Sequence, residues 1–196
     1  IARRSLCAAL AKLLGALGTD AAAAALEAHF ESATNGPDKF LAASALNMSD
    51  SARGVAVMEK LGDQCRGHVA AYGAYLRILA SSPHRDVFDR MSAEEAGAGF
   101  RLEHPGHSRS LYGGMAANNA QLWNKRGLEW ARRTVLKLAA VNEYVALSVL
   151  SAFQLVDSMR EPLRGEVRAL LESLASEVSP AKSPSLHGRI LQFLGR

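Results

Sequence analysis

Residues 166–178 read EVRALLESLASEV, and their apolar side chains recur at intervals of three and four. On a helix of about 3.6 residues per turn, Val167, Leu170, Leu171, Leu174 and Val178 share one face, while Arg168, Glu172 and Glu177 fall on others. The same stripe returns in Leu128, Ala131, Val135 and Leu138, and again in Ala146, Val149, Phe153 and Val156. A half-buried strand would alternate with a period of two, and no stretch of the chain does so comparably. The periodicity therefore places the chain in the all-α class.

Breakers between the stripes set the helix lengths. Thr19-Asp20 separates the first two helices, Asn35-Gly36-Pro37 ends the second, and residues 47–50 mark another joint, where Ser49 or Asp50 could cap the next helix. Pro83 closes the run from Gly67 to Ser82, because its ring disfavours helical geometry in the residue before it. Ser92 and Glu95 have capping-box spacing and would open a short helix ending near Gly97 to Gly99. His104-Pro105-Gly106, residues 124–127, Glu161-Pro162 and residues 179–185 read as turns or loops. About ten short helices joined by short connections are expected to pack in antiparallel pairs, and such pairs stack into an armadillo/HEAT-like curved superhelix. No motif repeats at a fixed period, so the curvature rests on that inference alone.

The chain has 196 residues, 48% of them hydrophobic and 21% charged, an ordinary balance for one globular domain spanning residues 1–196. Its formal charge of +4 comes from 23 basic against 19 acidic residues whose signs interleave. Arg3-Arg4 and Arg132-Arg133 are the densest basic groups, and neither lies in a run with aromatics suited to stacking bases, so no nucleic-acid partner is expected. Cys7 and Cys65 are too few for a disulfide scaffold, which fits a reducing, cytoplasmic setting. Arg3-Arg4 followed by the apolar residues 6–17 has the outline of a signal peptide, but Lys12 interrupts it and no cleavage site of small residues stands out. An internal helix is the better reading, and no run reaches the roughly 18 apolar residues of a membrane span. Ile1 in place of an initiator Met leads to the expectation that the chain is a part of a longer protein.

Candidate chemistry is sparse. A gluzincin-type zinc site needs H-E-x-x-H, which sets two imidazoles one helical turn apart with a carboxylate between them. The six histidines, His29, His68, His84, His104, His107 and His187, never form it. His104 and His107 flank Pro105-Gly106, a spacing that comes from a turn, and Cys65 with His68 supplies two ligands where three or four are needed. No metal is expected in this chain. Gly97 and Gly99 lack the strand and lysine of a phosphate loop. Gly113-Gly114 reads as a place of close helix packing. Trp123 and Trp130 could stack a ligand, but anchoring a core is the more ordinary role of large aromatics beside apolar faces.

A resemblance adds to this. Residues 102–155 resemble the C-terminal domain of the aminopeptidase N (alanyl aminopeptidase) family, whose pattern runs N-P-N-x-V-R-x-L, then F, N and an aromatic residue, then glycine, a long helix and L-N-P-Q-V-A. Here stand His104-Pro105-Gly106-His107-Ser108-Arg109-Ser110-Leu111, Met115, Asn119, Trp123, Gly127 and Val141-Asn142-Glu143-Tyr144-Val145-Ala146. Ala2-Arg3-Arg4-Ser5-Leu6 is similar to the family's A-R-R-x-L, Ala45-Leu46-Asn47-Met48-Ser49-Asp50 to its A-x-N-M-T-D, and Ala80-Ser81-Ser82-Pro83 to the end of a further segment. The matches keep their order along most of the chain.

The resemblance implies a non-catalytic C-terminal domain of a zinc-dependent aminopeptidase that removes N-terminal residues from peptides. Zinc, the glutamate base and the acidic groups that bind the amine would belong to an earlier domain of the same polypeptide. The helical domain would cap that catalytic domain and limit the access of peptide substrates. Two departures bear on binding: His107 replaces the family's first arginine, leaving Arg109 at the second position, and Ser148 replaces a later one. Arg109 and His107 are thus the candidates for lining a substrate cavity, with no catalytic residue expected; a salt bridge at the helix start is the competing role for Arg109. The reading from another class is a stand-alone α-superhelical scaffold that binds a protein partner.

Overall fold

The computed structural model describes the backbone from residue 2 to residue 196 and the side chains from Ser5 onward, so the side chains of the Arg3-Arg4 pair lie outside the described residues. Among the described residues there are eleven α-helices, two short 3-10 turns and no strand. The all-α expectation holds. The chain contacts divide it into two compact units, Ile1–Phe100 and Arg101–Arg196.

The first unit contains α1 (Ala2–Leu17), α2 (Asp20–Ser32), α3 (Gly36–Leu46), α4 (Ala52–Cys65), α5 (Val69–Ala80) and α6 (Val87–Ala96). Its core is built where α2, α3, α4 and α5 meet, around the fully buried Phe30, Leu46, Leu61 and Leu76. The helices start where short polar side chains can take up free amide groups. Thr19 accepts from Ala22 N at 3.3 Å, Asn35 from Asp38 N at 3.0 Å and Ser51 from Gly54 N at 3.1 Å. At the third of these, the cap is Ser51, not Ser49 or Asp50. Ser49 is drawn inside instead, its hydroxyl donating to Leu46 O at 2.8 Å.

The Ser92–Glu95 expectation is corrected as well. α6 begins five residues earlier than Ser92, at Val87, and Ser92 lies within it, donating its hydroxyl to Phe88 O at 2.9 Å. A serine can bond either to an amide ahead of it or to a carbonyl one turn behind it, and sequence spacing alone does not choose between the two.

The second unit contains α7 (Pro105–Ala116), α8 (Lys125–Ala139), α9 (Glu143–Leu150), α10 (Leu163–Glu177) and α11 (Pro184–Phe193), with 3-10 turns at Ser151–Phe153 and Val156–Ser158. α9 touches α7, α8 and α11, and its Val145, Ala146, Val149 and Leu150 are buried. The apolar stripe that sequence extends to Val156 outlasts the helix, for Phe153 and Val156 are buried although α9 stops at Leu150. Ser148 and Ser151 donate their hydroxyls to the carbonyls three residues back, at 2.7 and 2.8 Å, where the backbone tightens. Glu143 ties α9 to α11 by accepting from Leu186 N at 2.7 Å, an anion placed at a helix start.

Asn124 caps α8 by accepting from Gly127 N at 3.0 Å, and the chain before the helix folds back hard against it. A Cβ at Gly127 would stand 2.1 Å from Gln121 O and 2.3 Å from Leu122 O, both backbone atoms with no freedom to retreat. Gly113 is the opposite case. A Cβ there meets nothing within 4 Å, so close helix packing does not account for that glycine. Gly127→Ala is accordingly expected to destabilise the chain by about 2–3 kcal/mol, and Gly113→Ala to stabilise it by about 0.4–1 kcal/mol, as read by urea unfolding.

Candidate functional site

A polar recess in unit one, of about 420 Å³, is lined by Arg66, Tyr75, Arg90 and Glu94 among others. Val87, Met91 and Glu94 lie on one inward stripe of α6, so a carboxylate occupies a position that the helical period reserves for an apolar residue. Glu94 is only 8% exposed. Its Oε1 accepts from the Tyr72 hydroxyl at 2.5 Å, and its Oε2 accepts from the Tyr75 hydroxyl at 3.0 Å and from Arg66 Nη2 at 3.3 Å.

Tyr72 and Tyr75 stand three residues apart on α5 with their rings stacked, centroids 5.9 Å apart. Burial, with the carboxylate beside them, pushes both phenols well above the ordinary tyrosine range, so they remain protonated donors. Arg66, just past the end of α4, is also paired with Asp63. The cluster thus fastens α4, α5 and α6 together. Both oxygens of the carboxylate accept from donors on neighbouring segments, which makes it a joint between them. Arg90, on the same recess, donates to Asn47 Oδ1 at 3.2 Å, and Asn47 donates to Ile78 O at 2.6 Å. Sequence reading did not single out Glu94; the visible signal was an acidic residue in phase with Val87 and Met91.

In unit two, His104 and His107 belong to the start of α7, where the sequence led us to expect a plain turn. His104 is the cap, its Nδ1 accepting from His107 N at 3.3 Å, and Pro105 takes the first helical position, where an amide is not missed. The two rings stack with centroids 4.1 Å apart. His107 is 4% exposed, and its Nδ1 accepts from Arg101 N at 3.2 Å. Burial first, then the nearby His104 and Arg101, hold its pKa below the ordinary histidine value. The Arg109 side chain is exposed and takes part in no ion pair or hydrogen bond among the described residues, so the competing helix-start salt bridge is not formed.

The other candidates separate. Cys65 is buried and its thiol is pushed up by burial, whereas His68 is exposed, so the two do not converge on one point. Among the described residues no group of three or more His, Cys, Asp and Glu side chains could hold a metal ion. Trp130 is buried against Tyr112, and Trp123 meets Phe153 edge-on at 5.8 Å, both in anchoring roles.

Two consequences are measurable. Glu94→Ala leaves two buried phenols without their acceptor and is expected to cost about 2–4 kcal/mol in a urea titration. Folding keeps His107 neutral at a pH where the unfolded chain binds a proton. Its contribution is complete above a pH of about 6.5 and is lost as the solution is acidified below that. His107→Asn retains an acceptor near Nδ1 but does not titrate, so the fall in thermal midpoint from pH 7 to pH 5 should be smaller in the variant than in the parent chain.

Comparison with known proteins gives this architecture a family. A family model described as "Domain of unknown function (DUF3458_C) ARM repeats" matches residues 1–183. A search of curated proteins finds no match. Among solved structures, the chain is similar to the Legionella pneumophila aminopeptidase A in complex with aspartic acid, with a TM-score of 0.81 at 17% identity. The likeness covers 90% of this chain and 21% of that one, so this chain spans about a fifth of the length of the enzyme it matches. With the ordered motifs from His104 to Ala146, the chain belongs to the DUF3458_C family of ARM-repeat domains, the C-terminal helical domain of aminopeptidase N family members.

Proposed function

We propose that this chain is the non-catalytic C-terminal domain of a zinc-dependent aminopeptidase, and that it caps the catalytic domain of the same polypeptide and limits which peptides reach it. The observation that carries the reading is the family match, which runs from residue 1 to residue 183 through both compact units. For that reason we take residues 1–196 as one domain of a longer protein. The solved structure it resembles is an aminopeptidase of which this fold forms a fifth. Zinc and proton transfer are assigned to the remainder, since neither an H-E-x-x-H sequence nor a gathered ligand set occurs among the described residues.

Arg109 and His107 are the proposed contribution to the substrate cavity, in different capacities. Arg109 is exposed and uncommitted, and its planar fork suits the carboxylate end of a peptide. His107, buried near the start of the same helix, fixes the helix start that carries it. Among the described residues no helix is long and apolar enough to cross a membrane, and both cysteines are free thiols. Both facts are consistent with the cytoplasm, the compartment we propose.

The test compares this chain with its full-length parent on alanyl and arginyl amide substrates and on short peptides, with zinc supplied. The chain alone should release no product, and any turnover by it would contradict the assignment. In the parent, Arg109→Ala should raise KM for peptides roughly tenfold, the loss of one charge-assisted hydrogen bond, with kcat unchanged. Amide substrates, which have no terminal carboxylate, should be unaffected.

A further inference from the structure

The recess between α4 and α6 carries charges that the fold does not use. Both helices pack against α5, and the buried Met58, Tyr75 and Leu79 close the recess from below. Close packing fixes that floor: a Cβ at Gly62 would stand 2.9 Å from the Tyr75 ring, and one at Gly99 would stand 3.0 Å from Arg66 Cδ. Val55 is 42% exposed and adds apolar surface to the α4 wall.

Among the charged side chains that line the recess, Arg66 is shared by Asp63 and Glu94, and those three satisfy one another. Glu59 and Arg90 are left. Glu59, exposed on the α4 wall, makes no hydrogen bond or ion pair among the described residues. Arg90, on the α6 wall, commits only its Nη1, to Asn47 Oδ1. Its Nε and Nη2, which form one edge of the guanidinium, have no acceptor among the described residues. Asn47 is 2% exposed and is itself anchored to Ile78 O. The guanidinium is thus held from behind before any ligand arrives, and a fork fixed in advance suits bidentate capture of a carboxylate. The unpaired carboxylate on the facing wall suits an ammonium. An anion alone would enter a recess in which carboxylates outnumber guanidiniums, and a cation alone would leave the Arg90 edge unused. The volume of about 420 Å³ is within the range of small-ligand sites.

We propose that this recess binds a small zwitterion of the short-peptide class, with its carboxylate on the Arg90 edge, its ammonium on Glu59 and an apolar side chain over Val55, Met58 and Leu79. The site is formed by unit one alone, and the proposal goes beyond the peptidase reading without depending on it.

The experiment is a heteronuclear NMR titration of the 196-residue chain with leucyl-alanine, in which the same spectra report that each protein is folded. Amide resonances of α4, α5 and α6 around the recess should shift saturably, with a Kd of about 1 mM. N-acetyl-leucyl-alanine lacks the ammonium and leucyl-alanine amide lacks the carboxylate, and each should bind about tenfold more weakly through the loss of one charge-assisted contact. Glu59→Gln should weaken leucyl-alanine about tenfold and leave the acetylated peptide unaffected, whereas Arg90→Gln should weaken leucyl-alanine as much and leave the amide unaffected. Glu59 is exposed and unpaired, so its variant keeps the test decisive even where Arg90→Gln disturbs Asn47. In the full-length parent, leucyl-alanine should slow hydrogen exchange in α4 to α6, and Glu59→Gln should remove that effect. Shifts that do not saturate, shifts centred outside the recess, equal binding of the three peptides or unchanged binding by the Glu59→Gln chain would each overturn the proposal.

Discussion

The helices of this protein run from eight to sixteen residues, lengths at which a helix in water is marginal. Apart from α1, each therefore exists because an apolar stripe is covered by its neighbours. α9 is the clearest case: eight residues long, it persists because α7, α8 and α11 surround Val145, Ala146, Val149 and Leu150. The need to cover stripes with so many short elements explains why the chain turns every dozen residues or so. It also explains why a Ser, Thr, Asn or His stands at most of the turns to receive a free amide.

Crowding of this kind governs the polar groups as well. Glu94 lies in an apolar stripe, and the fold tolerates it because two phenols and a guanidinium converge on it. His107 is buried as a neutral acceptor for the amide of Arg101. In enzymes, buried ionisable groups retain a free lone pair or proton for a substrate. Glu94 here joins one helix to the next, and His107 joins the start of α7 to the segment before it. Charge on the surface is likewise taken up in pairs, as with Arg53 beside Glu27, Arg132 beside Glu177 and Arg196 beside Glu172.

α1 is the exception to this covering of stripes. Four exposed leucines, Leu6, Leu10, Leu13 and Leu17, run along the side of α1 away from the buried Ala11 and Gly15.

What sequence alone determined was whatever depends on residues close together in the chain. The period of the stripe at residues 166–178 decided the helical class. Thr19-Asp20, Asn35-Gly36-Pro37 and residues 124–127 marked the breaks between helices, and the structure shows Thr19, Asn35 and Asn124 there as caps, each acting on an amide three residues away. The lack of H-E-x-x-H was visible for the same reason, and the ordered motifs from His104 to Ala146 pointed to the family. Tertiary structure decided what depends on distant residues. Ser92 sits inside a helix and Ser51, not Ser49, caps α4, because competing local bonds were settled by how α6 and α4 pack. The Glu94 joint unites side chains 19 to 28 positions apart. Which face of α1 turns inward was decided by the carbonyl of Ala45, thirty residues along from Gly15, which leaves room for a hydrogen and nothing larger.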